Sequence, residues 1–180
     1  EKPAGIQIIA RDITDRKYAE MEMRKKLVKY ELDIGNIYLS KEPRARKSID
    51  AFKELLMIGH SGTMISRRSK SDFENNIGYM FNHVKISEMD KGNHIPPKYD
   101  EIHDLLANLP RGEAVHIDCI EYLISRIGPK KTMFIIQYLK DLAVSKNLYV
   151  IISLDPIAMS KEDMGLIEKE CKEILPSKYL

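Results

Sequence analysis

Residues 114–124 read AVHIDCIEYLI, a short apolar run that ends in Asp118 and is followed three residues later by Glu121. Entered from the turn Pro110-Arg111-Gly112, the run reads as a strand that delivers an acid at its carboxyl end. In a doubly wound α/β domain this is how a Walker B carboxylate reaches Mg²⁺ and nucleotide. The residue beside the acid, where an active ATPase of this kind carries a water-polarising glutamate, is Cys119. Glu121, on the first turn of a following helix, is placed to cap that turn instead.

A Walker B acid needs a phosphate cradle, and no intact G-x-x-x-x-G-K-[ST] occurs in the chain. The nearest match is KEPRARKS, residues 41–48, which follows the strand-like Ile37-Tyr38-Leu39 and precedes a helical pattern. Lys47 and Ser48 fall where the motif's lysine and hydroxyl stand, but Lys41 and Arg46 replace both glycines. Glycine there permits positive φ and close approach of backbone N–H groups to phosphate, so long side chains are expected to obstruct the cradle.

Outward from these two motifs, strand and helix patterns alternate. Strands are expected at residues 36–40, 62–66, 81–86, 114–117 and 148–154. Helices are expected at 48–58, 99–109, 122–127, 131–144 and 161–175, with 91–97 a polar loop. Ile49, Phe52, Leu55 and Leu56 share one face of the first helix, and Gly59 stops it. This alternation predicts an α/β fold, a mostly parallel sheet of about five strands with helices on both faces. The strands beginning at Asn36, Gly62, Ala114 and Leu148 should run parallel in one sheet.

The 180 residues suit one domain and an appendage, and 43% apolar content is enough for a core. A net charge of +2 on a 31% charged chain gives no global field toward nucleic acid or an anionic membrane. No stretch approaches the roughly 18 apolar residues of a membrane span. Two cysteines, Cys119 and Cys171, make neither a disulfide framework nor a metal pattern, which fits a reduced, cytoplasmic setting. The five histidines, His60, His83, His94, His103 and His116, have no ligand spacing and read as surface or partly buried packing residues, so neither a metal nor another cofactor is expected.

The N-terminal stretch GIQIIARDITDRKYAE, residues 5–20, closely resembles the end of a PAS sensor domain, where the last strand runs through a D-I-T-[ED]-R-K turn into a signalling helix. Tyr18, Met21, Val28 and Leu32 step by threes and fours along one face, broken by Lys25. At about two heptads this seam predicts a homodimer through the helix, or equally docking of the helix on its own domain. The expected organisation is therefore a remnant of the sensor's last strand at 1–12, a linker helix at 13–33 and an α/β output domain at 34–180. Residues 5–20 are too short for a sensor pocket, so the sequence reads as a piece of a longer protein. Other outputs leave no trace: residues 27–56 contain no phosphoacceptor histidine, and G-G-[DE]-E-F and E-A-L are absent.

YELDIGNIYLSKE, IGHSGTMISR, AVHIDCIEYLI and LYVIISLDPIAM follow one another in an order that resembles the archaeal domain of unknown function 835, over about residues 30–175. The resemblance implies a degenerate RecA/KaiC-like three-layer sandwich placed behind PAS domains. It supplies no activity. The chain departs from the pattern at the third strand, where a tryptophan is expected and Lys85-Ile86-Ser87 stands.

In an open parallel sheet the ligand rim lies outside the carboxyl ends of the strands. Here that rim is expected from Lys41, Lys47, Ser48, Arg67, Asp118, Glu121 and Asp155, with Arg67 and Lys47 toward phosphate and Asp118 toward metal. Alternatively the acids cap helices and pair with neighbouring bases, and Asp155-Pro156 suits that role. The preferred function is a non-catalytic signal-transduction output or protein-interaction module downstream of PAS, with an unnamed protein partner. The alternative is a nucleotide-binding or hydrolysing domain with a degenerate P-loop. A nucleic-acid-binding regulator is third: it needs Arg44, Arg46 and Lys47 to join Arg67, Arg68 and Lys70 in one patch, as they would if the first two strands were neighbours.

Overall fold

The computed structural model describes residues 28–89 and 94–177. Chain contacts divide the molecule into two units, Glu1–Glu31 with Pro176–Leu180, and Leu32–Leu175. In the first, the Ser177 amide donates to the Lys29 carbonyl at 2.8 Å. Tyr30–Glu31 is a strand and residues 28–33 contain no helix, so the expected linker helix does not reach residue 33. Its earlier part, the sensor-like stretch, and Tyr18 and Met21 of the seam lie outside the described residues.

The larger unit is built on strands β1 (Asn36–Lys41), β2 (Gly62–Ser66), β3 (Asn82–Ile86), β4 (His94–Ile95), β5 (Ala114–Ile117), β6 (Tyr149–Leu154) and β7 (Lys172–Glu173). They form one sheet in the order β4-β3-β2-β5-β6-β1-β7, with every neighbouring pair parallel. The expected strands all belong to it, in parallel, and two-residue β4 and β7 extend it at its edges. Among the described residues the helices are α1 (Arg46–Met57), α2 (Ser71–Ile77), α3 (Tyr99–Ala107), α4 (Ile120–Ile127), α5 (Pro129–Lys146) and α6 (Lys161–Glu170).

Side chains alternate across the pleat and are claimed by different layers. Ile37, Leu39, Ile65, Val115, Ile117, Val150 and Ile152 join a core with Ile102 and Leu106 of α3, Leu123 of α4, Ile135, Ile136 and Leu139 of α5, and Ile167 of α6. The other face is covered by α1, which packs on β1, β2, β5 and β6. There Phe52 lies 5.7 Å from the His116 ring and 6.2 Å, edge-on, from Phe81. Because both faces are covered, β2 and β5 are buried at every residue, which is why their sequences read as unbroken runs.

Several expectations are corrected. His116 is fully buried rather than partly so, because the middle residue of a central strand has no solvent side. The last helix ends at Glu170 and not at residue 175, since the chain then pairs Lys172 with Tyr38 and Glu173 with Leu39. Helix α2 stands in a stretch read only as connection, and the expected loop 91–97 contains β4.

Candidate functional site

The helix after β1 covers one face of the sheet and those after β5 and β6 cover the other, so a crevice opens at the carboxyl ends of β1 and β6. A cleft of about 870 Å³ occupies it. Glu42, Pro43, Arg44 and Arg46 follow β1, Arg68 follows β2, Asp118 and Glu121 follow β5, Ser153 lies near the end of β6 and Asp155 follows it.

The start of α1 forms one wall of the cleft. This helix begins with Ala45 as its cap residue and has no acid in its first turn, so nothing within the helix satisfies its leading amides. Glu42 does so from outside. Its Oε2 accepts from the Arg46 and Lys47 amides at 2.9 Å each, and its Oε1 accepts from the Ser48 amide at 3.0 Å. The Ser40 hydroxyl donates to Oε1 at 2.7 Å. Partial burial alone would raise the Glu42 pKa, but the Ser48 and Lys47 amides with Ser40 outweigh it and hold the carboxyl below its ordinary range. Three backbone amides at a helix N-terminus around one anion is the arrangement that cradles phosphate. The anion here is part of the chain.

The glycine argument is corrected by this geometry. Arg46 and Lys47 keep ordinary helical backbone, the Lys47 side chain reaches the Ile174 carbonyl, and the amides converge without any glycine. The obstruction is the Glu42 carboxylate and not a β-carbon.

Of the seven expected rim residues, Asp118, Glu121 and Asp155 line the cleft. Lys41 turns out to Glu168 at 2.8 Å. Lys47 donates its Nζ to the Ile174 carbonyl at 2.8 Å, so its charge is committed outside the cleft. Ser48 is fully buried. Arg67 stacks on the Tyr122 ring, 3.9 Å from the centroid, and it is the next residue, Arg68, that faces the acid. Arg68 binds Asp118 Oδ2 through Nη2 at 2.6 Å and Nε at 3.2 Å, and its guanidinium lies 4.2 Å from the Phe73 ring centroid. The other Asp118 oxygen is buried without a hydrogen-bond partner.

Glu121 is buried enough that its pKa is raised, and its Oε1 accepts the Asp155 amide at 2.6 Å across the cleft floor. Asp155 in turn accepts from the Ile157 amide at 3.0 Å as Pro156 opens a short 3-10 turn. Cys119 is buried, and burial drives its thiol well above the ordinary value, so it offers no nucleophile. Among the described residues no three His, Cys, Asp or Glu side chains converge to hold a metal ion. The six-residue basic patch does not assemble: Arg44, Arg46 and Arg68 line the cleft, but Arg68 is paired with Asp118, and Lys47 and Arg67 are engaged outside it.

Sequence reasoning assigned Glu42 no role, and overlooked Arg68 as the partner of Asp118. One signal for Glu42 was present: a helix with neither a capping side chain at Ala45 nor an acid in its first turn has to be capped from before it.

A model of the family described as "Protein of unknown function (DUF835)" matches residues 41–171. The chain belongs to the DUF835 family. Among solved structures, the crystal structure of the flagellar accessory protein FlaH from Methanocaldococcus jannaschii is similar with a TM-score of 0.51 at 12% identity, over 78% of this chain and 70% of that one. The likeness shows that this DUF835 member has a RecA-like fold. No curated protein matches the chain. Among the described residues no helix is long and apolar enough to cross a membrane.

Proposed function

We propose that this DUF835 member is a non-catalytic signal-output or protein-interaction module acting behind a PAS sensor, with an unidentified protein as its partner. The observation that carries the reading is the Glu42 carboxylate on the first three amides of α1. The other groups a Mg²⁺-nucleotide would need are likewise spent within the chain: Lys47 on the Ile174 carbonyl and Asp118 on Arg68. Phosphoryl transfer is catalysed almost wholly by positioning and electrostatics, and both are directed inward here. The PAS connection rests on the resemblance of residues 5–20.

A second reading, residual nucleotide binding, is favoured by the cleft itself, which lies where RecA-like sheets place their ligands. One experiment separates the two. Calorimetric titration of the chain with Mg²⁺-ATP should give no saturable heat and no phosphate release. Low-micromolar affinity, lost in both Lys47→Ala and Asp118→Ala, would make the enzyme reading primary.

A further inference from the structure

We infer that the N-terminus of α1 is a working oxyanion site held shut by Glu42, and that removing this one side chain opens it to a phosphate-class anion. The inference rests on the reading of the cleft as a degenerate nucleotide site, and goes beyond it by locating the whole block in a single carboxylate.

The amides of Arg46, Lys47 and Ser48 already lie within 3.0 Å of a common anion, so no backbone change is needed to receive another. A second observation points to an exchangeable ligand. Ser48 is fully buried, its side chain lies beside the same carboxylate, and its Oγ has no hydrogen-bond partner of good geometry. A planar carboxylate presents two oxygens and meets this hydroxyl only at poor geometry; a tetrahedral oxyanion presents more.

Charge in the cleft agrees with this. Arg44 and Arg46 are exposed on its wall and, among the described residues, make no ion pair. The acid facing them, Asp118, is matched by Arg68, and Glu121 is occupied by the Asp155 amide. Glu42 wins because it is tethered: a carboxylate a few residues from its amides acts at an effective concentration of roughly millimolar or more, so a free anion meets a filled site.

The test uses inorganic pyrophosphate on the full chain, with sodium chloride matched for ionic strength, and ADP as a separate arm. Isothermal titration and amide NMR shifts are read for wild type, Glu42→Ala and Glu42→Gln. Wild type should bind pyrophosphate weakly or not at all. Glu42→Ala should bind at least about tenfold more tightly, with the largest shifts at the Arg46, Lys47 and Ser48 amides, and Glu42→Gln should fall between. ADP binding alongside pyrophosphate would mark a nucleotide source, and pyrophosphate alone a free phosphate.

Should Glu42→Ala be unfolded in chloride, pyrophosphate or formate restoring its circular dichroism melt would support the inference. Failure of both to restore it, with Glu42→Gln folded and its three amides unmoved, would overturn it. A folded Glu42→Ala that binds no more tightly than wild type would overturn it as well. Neither result touches the proposed function, which is tested by wild type with Mg²⁺-ATP and gives way to the enzyme reading on low-micromolar affinity lost in both Lys47→Ala and Asp118→Ala.

Discussion

His116 and Glu42 both shape how this chain answers acid, and they do so in different pH windows. His116 sits in the middle of β5 with neither ring nitrogen hydrogen-bonded, and burial depresses its pKa from 6.5 to about 4, with Asp118 and Glu42 opposing and Arg68 assisting. The unfolded chain therefore takes up a proton that the folded chain refuses. The His116 contribution to stability is flat above pH 6.5 and falls progressively as pH drops from 6.5 to about 4, by on the order of 3 kcal/mol at the acid limit. His116→Leu should flatten this arm: urea midpoints at pH 7 and pH 5 should converge relative to wild type, and an unchanged gap would exclude His116 as the source. Glu42 acts lower. Its folded pKa lies below the ordinary 4.5, so the stability tied to its ionisation is present above 4.5 and lost as pH falls through the folded value. At neutral pH, Glu42→Gln should cost about 1 kcal/mol, the usual worth of a helix cap, and should leave a shallower acid transition below pH 4.5.

At the scale of elements, α1 and β2 are locked together through a missing side chain. A β-carbon on Gly62 would lie 2.6 Å from Leu56 Cδ2 and 2.7 Å from Phe52 Cζ, because the helix presses its apolar face onto the strand there. Gly62→Ala should destabilise by roughly 1–3 kcal/mol. Phe52→Leu in the same chain should recover part of that loss, giving a coupling of about 1 kcal/mol in a double-mutant cycle; strict additivity would mean that the strand shifts instead. Helix α6 depends on a cap its sequence announces: Ser160 Oγ accepts the Asp163 amide at 3.0 Å and donates to Asp163 Oδ2 at 2.7 Å. Strands and helices with strong patterns could be read directly, as in AVHI and in the spacing of Ile49, Phe52 and Leu56. Helix α2 could not, since SDFENNI offers only Phe73 and Ile77 as buried residues. Two-residue β4 and β7 carry no pattern at all; each is defined by the neighbour that offers it hydrogen bonds.

For the whole molecule, signalling would require the α/β unit to be coupled to an upstream helix. The seam Tyr18, Met21, Val28 and Leu32 motivates a homodimer, although residues 28–33 contain no helix, so Val28 and Leu32 do not stand on one. Light scattering at tens of micromolar should give a dimer mass that Met21→Asp converts to monomer. A monomer mass for wild type, unchanged by the substitution, would sink the seam and leave the partner to be sought on the α/β unit.

Layering and strand direction were determined by the sequence alone, because burial on both faces leaves continuous apolar runs and amphipathic helices leave a 3.6-residue period. The acid at the end of β5 could be read for the same reason: it closes such a run. The Glu42 cap is local, made with residues 40 and 46–48, but where the neighbouring charges go was decided only by the tertiary structure. Whether Lys47 reaches the cleft or Ile174, and whether Arg67 or its neighbour Arg68 meets Asp118, depend on the sheet order that sets β6 and β5 between β1 and β2. Those are choices among side chains of equal local propensity, and only long-range geometry distinguishes them.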